Sequence, residues 1–386
     1  MDKQSGSKDA VTILLGGDVS PRRVEFGEPP ESLFALVQAK MKEGDIRFCH
    51  VPHSLGTQGH LQYRNHITNY ERQAKENVKS LTFAGFDVVC HASNNCFDYG
   101  PEALLETLQV LRSNNIKVVG AGKDIAEART PAVFDKKGVK VGFLSYCCVV
   151  NMEYEAREGK PGCTPLRVAT YYEVQDANPG SPPRIITIPN EGDVRAMEED
   201  VSKLRKQVDV VVVSMHWGTH EPGTLAMYQP VVGHKAIDAG ADIVVGHHGA
   251  LLKGIEFYKG KPIFYSLAHF AVERPHNPQP PRGLHSSGPS TLYMKSRGAE
   301  PGWERNPGAK ERRYSMLVKC LAGKNGVEKI SFLPVYINRL AEPEFMAPSD
   351  PRFNEVVSYA ERWCKELGTG LTVDGDEVIV HKLAAR

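Results

Sequence analysis

The chain has 386 residues, 41% hydrophobic and 24% charged, so it can bury a large core without disulfides or a structural metal. Its 47 basic and 46 acidic residues leave a formal net charge of +1, which gives no support for a dedicated nucleic-acid binder. No apolar run reaches the roughly 18 residues of a membrane span.

The N-terminal stretch lacks an extended apolar core followed by a small-residue cleavage site, so no secretory signal is expected. The eight cysteines form no CxxC pair, and several sit in apolar runs as small hydrophobes. A reduced, cytoplasmic protein is the expectation.

In chain order, strands are predicted at 11–15, 46–51, 88–91, 118–120, 141–147, 208–214, 243–245 and 262–266. Between them, helical spacing predicts helices at 31–43, 69–84, 101–114, 191–207 and 228–239. The first places Leu33, Leu36, Val37 and Met41 on one face, and Pro101 suits the first turn of the third. Strands alternating with helices of this length indicate an α/β architecture. Segments 153–189 and 273–313 have no clear period and are expected as long loops. Two strands at 315–321 and 327–336, a helix at 353–367 and a short strand at 377–381 complete the chain. Residues 341–386 are expected to pack as a small extension on the domain formed by 1–340.

In open α/β sheets, sites form beyond the carboxyl ends of strands. Four strands here run directly into candidate ligands. Asp18 follows the first, on the Gly16-Gly17 turn. Asn95 and Cys96 follow the third, with His91 between. His216 follows the run Val210 to Val213, with Trp217, His220 and Glu221 beyond it. His247 and His248 follow Ile243 to Val245. Adjacent side chains on an extended segment point opposite ways, so one histidine of the last pair is expected to face the site. Alone, each signal has an ordinary structural reading: a capping Asp, a turn Asn-Asn, a hydrogen-bonded core histidine. Together, Asp18, Asn95, His216 and His248 make an N/O ligand set suited to Zn, Mn or Fe rather than Ca or Mg.

The same motifs carry a family resemblance. Gly17-Asp18, Gly85 to Val89 leading into Ala92 to Gly100, Gly120-Ala121-Gly122, His216-Trp217-Gly218, Asp238 to His248 and Pro262 to Leu267 occur in one order. In these the sequence resembles the capsule-synthesis CapA (poly-γ-glutamate synthesis) family, over roughly residues 11–270. The resemblance implies a metallophosphatase-like four-layer α-β-β-α sandwich with a metal centre at the strand ends. It also implies ligand roles for Asp18, Asn95, His216 and His248.

Four departures bear on that centre. The family's Asn-Leu-Glu, whose glutamate resembles a bridging ligand, reads His50-Val51-Pro52-His53. Its Asn-Asn-His, which resembles the source of the general acid, reads Asn94-Asn95-Cys96. Its late His-x-His reads His248-Gly249-Ala250, and its Ser-Leu-Gly-Asn-Phe reads Ser266-Leu267-Ala268-His269-Phe270. Three readings follow. One metal survives on Asn95, His216 and His248, joined by Asp18; or His50, His53, His91 or His269 rebuild a rewired site; or the pocket works without metal.

The leading expectation is a metal-dependent hydrolase with about one divalent ion, acting on an ester, lactone, amide or phosphoester. Cys96, His50 or His53 would serve as the proton-transfer group. His91, Trp217, His220, Glu221, His247, His269 and Arg282 would line the substrate site. The loop carrying Arg274, His276, Arg282 and His285 would close over an anionic small molecule. The alternative is an accessory protein that binds polyglutamate or another carboxylate-rich ligand. No GxGxxG or P-loop stands at a strand–helix junction, and no serine lies in GxSxG.

Overall fold

Side-chain alternation in the first strand, Val11–Ser20, already separates two cores. Val11, Ile13 and Leu15 join one apolar cluster, while Leu14 joins another on the opposite face. The computed structural model describes residues 10–62, 72–176, 178, 181–274 and 301–384. In it the chain forms an α/β sandwich built on two large sheets.

The first sheet runs Thr369–Asp374, Glu377–Lys382, Gly326–Ile337, Tyr314–Gly323, Val11–Ser20, Ile46–His50, Val88–Cys90 and Lys117–Val119. Two further strands, His269–Val272 and Pro343–Phe345, pair with Val11–Ser20 and Gly326–Ile337. The second sheet runs Ile255–Tyr258, Lys261–Phe264, Ile243–His247, Val210–His216, Val139–Cys147 and Ala132–Lys136. Strands Val11–Ser20, Ile46–His50 and Val88–Cys90 are mutually parallel, as are Val139–Cys147, Val210–His216 and Ile243–His247.

The inner faces meet through Phe48 and Phe143, whose rings stack at 5.8 Å. Cys90 Sγ and Ser145 Oγ also meet across the sheets, 2.7 Å apart. Outside the first sheet, Leu33, Phe34, Met41 and Leu81 cover Leu14 and Val89. Outside the second, Val211, Val213 and Met215 pack under Met197, Val201, Leu204 and Val232. Helix Glu191–Arg205 forms because Val194, Met197, Val201 and Leu204 recur at helical spacing and Asn190 caps its start. The cap is Asn190 Oδ1 accepting from the Asp193 N–H at 3.0 Å.

Several sequence expectations change. The single helix expected at 31–43 is a 3-10 turn, Pro30–Phe34, followed by the short helix Gln38–Met41. A 3-10 turn takes three residues rather than 3.6, so the phase shifts: Phe34 is buried and Leu36 is exposed. The helix expected at 69–84 is a 3-10 turn Lys75–Asn77 leading into helix Val78–Ala84, closed by Gly85 at φ 80; residues 69–71 lie outside the described residues. Segment 153–189 is no plain loop. It holds strand Gly162–Cys163 and a two-stranded ribbon, Val168–Glu173 with Arg184–Pro189. Most ribbon side chains face solvent, so no buried face imposes a period on the sequence.

In 273–313 the structure describes 273–274 and 301–313, including the 3-10 turn Lys310–Arg313. Sequence reasoning also missed the strands Ala132–Lys136, Ile255–Tyr258 and His269–Val272. Three of the anticipated strands run further than expected into polar residues, ending at Ser20, His216 and His247. The C-terminal helix Pro351–Glu366 starts at an Asp350 cap, and the last two strands continue the first sheet.

Candidate metal centre

Strand register brings the polar ends together. On the first sheet Asp18 lies opposite His50 on one side and His269 on the other. On the second sheet His216 lies opposite His247. Period two then decides direction. Phe48 and Val245 face the space between the sheets, and His50 and His247, two residues on, face the same way. Asp18 reaches that face through a register shift between Leu15 and Asp18, which inserts one extra residue against Ile46–His50.

Two glycines allow one segment to cross between the sheets at this point. A Cβ on Gly17 would lie 2.1 Å from the Ala268 carbonyl oxygen, and one on Gly246 2.2 Å from that of Tyr265. The crossing chain is pinned on both sides: the Asp18 N–H donates to Ala268 O, and the Leu267 N–H donates to Gly246 O, each at 3.0 Å. His248, Ala250 and Ala268 take left-handed backbone at φ 83, 56 and 60. Such strain in non-glycine residues gathers at functional sites.

Asp18, His50 and His247 are buried and offer ligand atoms that all lie within 4.8 Å of one another. His50 Nδ1 is 2.8 Å from Asp18 Oδ1, and His247 Nδ1 is 3.3 Å from the same oxygen. The second contact lacks hydrogen-bond alignment. His50 Nε2 and both ring nitrogens of His247 are buried without a hydrogen-bond partner among the described residues. An unsatisfied buried polar atom costs about 1–3 kcal/mol, so this concentration calls for an explanation. One carboxylate oxygen and imidazole nitrogens with available lone pairs fit a borderline divalent cation.

The imidazoles continue outward as a chain of rings. His50 contacts His247 at 4.8 Å and His216 at 4.7 Å between centroids. His248 then contacts His216 at 4.8 Å and His220 at 4.6 Å. Burial is the first cause that holds His216 and His248 well below the usual histidine range, and that pushes His220, His247 and His269 down to about 4. These rings are therefore neutral near pH 7, the state in which imidazole donates a lone pair. Burial raises the Asp18 carboxyl, but the charge and hydrogen bond of His50 and the close approach of His247 outweigh it and hold the group well below the usual range.

A cavity of about 140 Å3 opens beside the cluster. Asp18, Pro52, His53, Asn94, Asn95, His216, His220, His248, His269, Arg274 and Arg312 contribute to its wall. Burial, then Arg312 and Arg22, push Arg274 down to about 9. Among the described residues of the wall, Arg274 and Arg312 bring two guanidiniums and Asp18 one carboxylate, a chemistry that suits an anionic visitor.

The structure distributes the sequence candidates unevenly. Asp18, His53, Asn95, His216, His220, His248 and His269 line the cavity. His247, expected to contact substrate, joins Asp18 in the buried triad, and so does His50, expected either to transfer protons or to help rebuild a rewired metal site. Asn95 donates through Nδ2 to Asp98 Oδ2 at 2.8 Å, while its neighbour Asn94 accepts from His216 Nε2 at 2.8 Å. Sequence reading passed over Asn94; the adjacent pair itself was the signal, with parity undetermined in a turn.

Cys96 is displaced from the proposed chemistry. It lies in the core between the sheets beside Cys163, outside the cavity wall, and burial raises its thiol well above the usual range. His91 also sits in the core, with Nδ1 donating to Val51 O at 2.6 Å. Trp217 packs rather than binds: its indole donates to Tyr265 O at 2.9 Å and stacks on that ring. Glu221 is absent from the cavity wall, and its backbone carbonyl accepts from Lys253 Nζ. Arg282, with His276 and His285, lies outside the described residues. Arg312 was not singled out, although the basic run Lys310 to Arg313 was visible.

Known proteins resemble this chain in sequence. The chain is 32% identical over 265 residues to the PGA biosynthesis protein CapA of Bacillus subtilis, covering 68% of this chain and 54% of the relative. It is 27% identical over 263 residues to the capsule biosynthesis protein CapA of Bacillus anthracis, covering 68% and 58%. A probable polyglutamine synthesis accessory protein of Mycobacterium tuberculosis is 32% identical over 198 residues, covering 50% and 47%. The chain thus spans about half the length of the curated relatives it matches.

Among solved structures, a hypothetical protein from Thermus thermophilus aligns with a TM-score of 0.44 at 12% identity, covering 84% of this chain and 98% of that one. No described helix is long and apolar enough to cross a membrane. The profile of the bacterial capsule synthesis protein PGA_cap matches residues 12–274, more than half of the sequence, and the chain belongs to that family.

Proposed function

We propose that this chain is a metal-dependent hydrolase whose ion is held by Asp18, His50 and His247, with His216 and His248 beside it. The observation that carries the reading is that His50 Nε2 and both ring nitrogens of His247 lie buried without a hydrogen-bond partner among the described residues, next to one carboxylate oxygen. A bound divalent ion supplies Lewis acidity and a water of lowered pKa. The bond attacked is an ester, lactone, amide or phosphoester.

The protein's own groups do the rest. Asn94 fixes the His216 ring through Nε2 and so sets where its other nitrogen points. Arg274 and Arg312 hold an anionic group of the substrate at the cavity wall. His53, on the segment that departs from the family pattern, is the hydrogen-bond donor to the leaving group, a role open to a neutral imidazole, since Cys96 is sealed in the core. The cavity is well under the roughly 300–1,000 Å3 of pockets that enclose drug-sized ligands, so a small acid or one end of a carboxylate-rich chain suits it. A cytoplasmic location and a site without nucleic acid belong to the same reading.

The test is the metal content of the purified protein by elemental mass spectrometry, followed by a panel of model esters, lactones, amides and phosphoesters. Zinc, manganese or iron at about one per chain, lost in Asp18→Asn and His247→Ala, supports the reading. No uptake after reconstitution with all three removes it.

A second reading has its own support. The cationic cavity wall and the accessory role in the name of the mycobacterial relative favour a binder of polyglutamate or another carboxylate-rich ligand. Binding of oligoglutamate without turnover of any substrate in the panel would select it.

A further inference from the structure

We propose that Gln73 and Ser20 are positioning residues that hold His53 as its Nε2–H tautomer, so that it presents a hydrogen-bond donor to the cavity. The inference rests on the reading of His53 as the hydrogen-bond donor to the leaving group and supplies the reason for its protonation pattern.

The three side chains form a buried relay. Gln73 Nε2 donates to Ser20 Oγ, and Ser20 Oγ lies 2.9 Å from His53 Nδ1. Gln73 is fully buried, Ser20 is 1% exposed and His53 8% exposed. A hydroxyl has a single proton. With the Gln73 amide donating into the oxygen, the Ser20 hydroxyl keeps its own proton for its other neighbour, and in the proposed arrangement His53 Nδ1 accepts it. Burial, then Arg22 and Arg274, hold His53 well below the usual histidine range. A neutral imidazole whose Nδ1 accepts carries its one proton on Nε2.

The relay is anchored at both ends. The Gln73 N–H donates to Ser54 O at 3.1 Å, and Gln73 O accepts from the Gly56 N–H at 2.8 Å. Ser20 O accepts from the Glu273 N–H at 3.1 Å. The amide and the hydroxyl are thus carried on backbone that is hydrogen-bonded independently of His53. Ser20 stands two residues beyond Asp18 on the same strand, and His53 three beyond His50. The strand that supplies Asp18 thus carries Ser20, the turn after strand Ile46–His50 carries His53, and Gln73 comes from a separate segment bridged to Leu55.

The experiment is long-range 1H–15N NMR of the histidine ring nitrogens in the full chain, in zinc-loaded and metal-stripped samples. His53 is assigned by His53→Gln, and elemental mass spectrometry is run on the same samples. The expected result is Nε2–H in excess by about tenfold, the bias that one hydrogen bond of ordinary strength confers. Gln73→Glu, which only accepts from Ser20, should invert the relay and move the proton to Nδ1. Ser20→Ala should leave a mixture of tautomers, and Ser20→Thr should restore Nε2–H.

Nδ1–H in the wild type, as the opposite amide orientation of Gln73 would produce, overturns the inference. So does a tautomer that Gln73→Glu leaves unchanged. The wild-type spectrum decides even where a variant does not fold. A sample that takes up no metal yet shows the Nε2–H pattern and its inversion keeps the inference and rejects the hydrolase; metal uptake with the wrong tautomer does the reverse.

Discussion

His216 and His247 stand opposite each other in register on neighbouring parallel strands, yet they reach the first sheet at different points. His247 Nδ1 meets the Asp18 carboxylate at 3.3 Å, whereas His216 Nε2 donates to Asn94 Oδ1 at 2.8 Å. One side chain enters the buried triad, and the other is held by a turn at the cavity wall. The His50 ring lies between them, in contact with both.

That difference predicts unequal effects on metal binding. Asp18→Asn and His247→Ala should abolish uptake of zinc near neutral pH. Asn94→Ala should weaken it by about tenfold, the low end of the effect of losing an orienting hydrogen bond, because Asn94 holds His216 beside the ion. Asn95→Ala, whose amide is engaged with Asp98, should change affinity by only a few-fold. Competition titration with a zinc chelator measures all four; equal loss in Asn94→Ala and Asn95→Ala would restore Asn95 as a ligand.

Gly17→Ala should damage both fold and site. Its Cβ would meet backbone, the Ala268 carbonyl at 2.1 Å, so no side chain can swing away. Overpacking of this kind costs about 1–3 kcal/mol. Urea unfolding should report that loss, and zinc affinity should fall with it, because Asp18 is the next residue. Unchanged stability would mean that the crossing segment is softer than its hydrogen bonds imply.

Cys96→Ala should leave metal affinity and any hydrolytic activity close to wild type while lowering stability modestly. Its thiol lies in the inter-sheet core and is raised well above the usual range, first by burial. For the same reason iodoacetamide should leave Cys96 unmodified in the native chain. A large loss of kcat with intact stability would put the thiol back into the chemistry.

Glu273 should give stability a pH dependence away from the triad. Burial raises its carboxyl from 4.5 to about 7, against the opposing pull of Arg23, the Arg22 N–H and Arg305. A carboxyl with a raised folded pKa binds its proton more tightly in the folded state. Its contribution is therefore full below about pH 4.5 and is lost as pH rises through about 7. The loss amounts to a few kcal/mol. Urea unfolding at pH 5 and pH 7.5, wild type against Glu273→Gln, isolates it: the variant should lose less stability over that interval. Parallel curves would assign the slope to other groups.

The amino-acid sequence by itself determined the α/β class and the strand ends at which the polar residues gather. Both follow from local periodicity: apolar alternation marks a strand, and a polar residue after it marks a strand end. It also contained more than was first taken from it. Phe48 and His50, or Val245 and His247, are two residues apart on one strand, so burial of the first of each pair places the second between the sheets.

Other assignments were decided only by tertiary structure. The register shift before Asp18 reverses the parity that simple alternation gives, and nothing local to Leu15, Gly16 and Gly17 states that it occurs. Asn94 rather than Asn95 meets His216 because a turn has no fixed side-chain period. Cys96 falls into the core because the short strand Gly162–Cys163, paired with Ala121–Gly122, brings Cys163 to it. The relay from Gln73 through Ser20 to His53 joins three segments far apart in sequence. Periodicity is a property of one element, whereas register between elements depends on what the neighbouring chain presents, and these functional contacts depend on register.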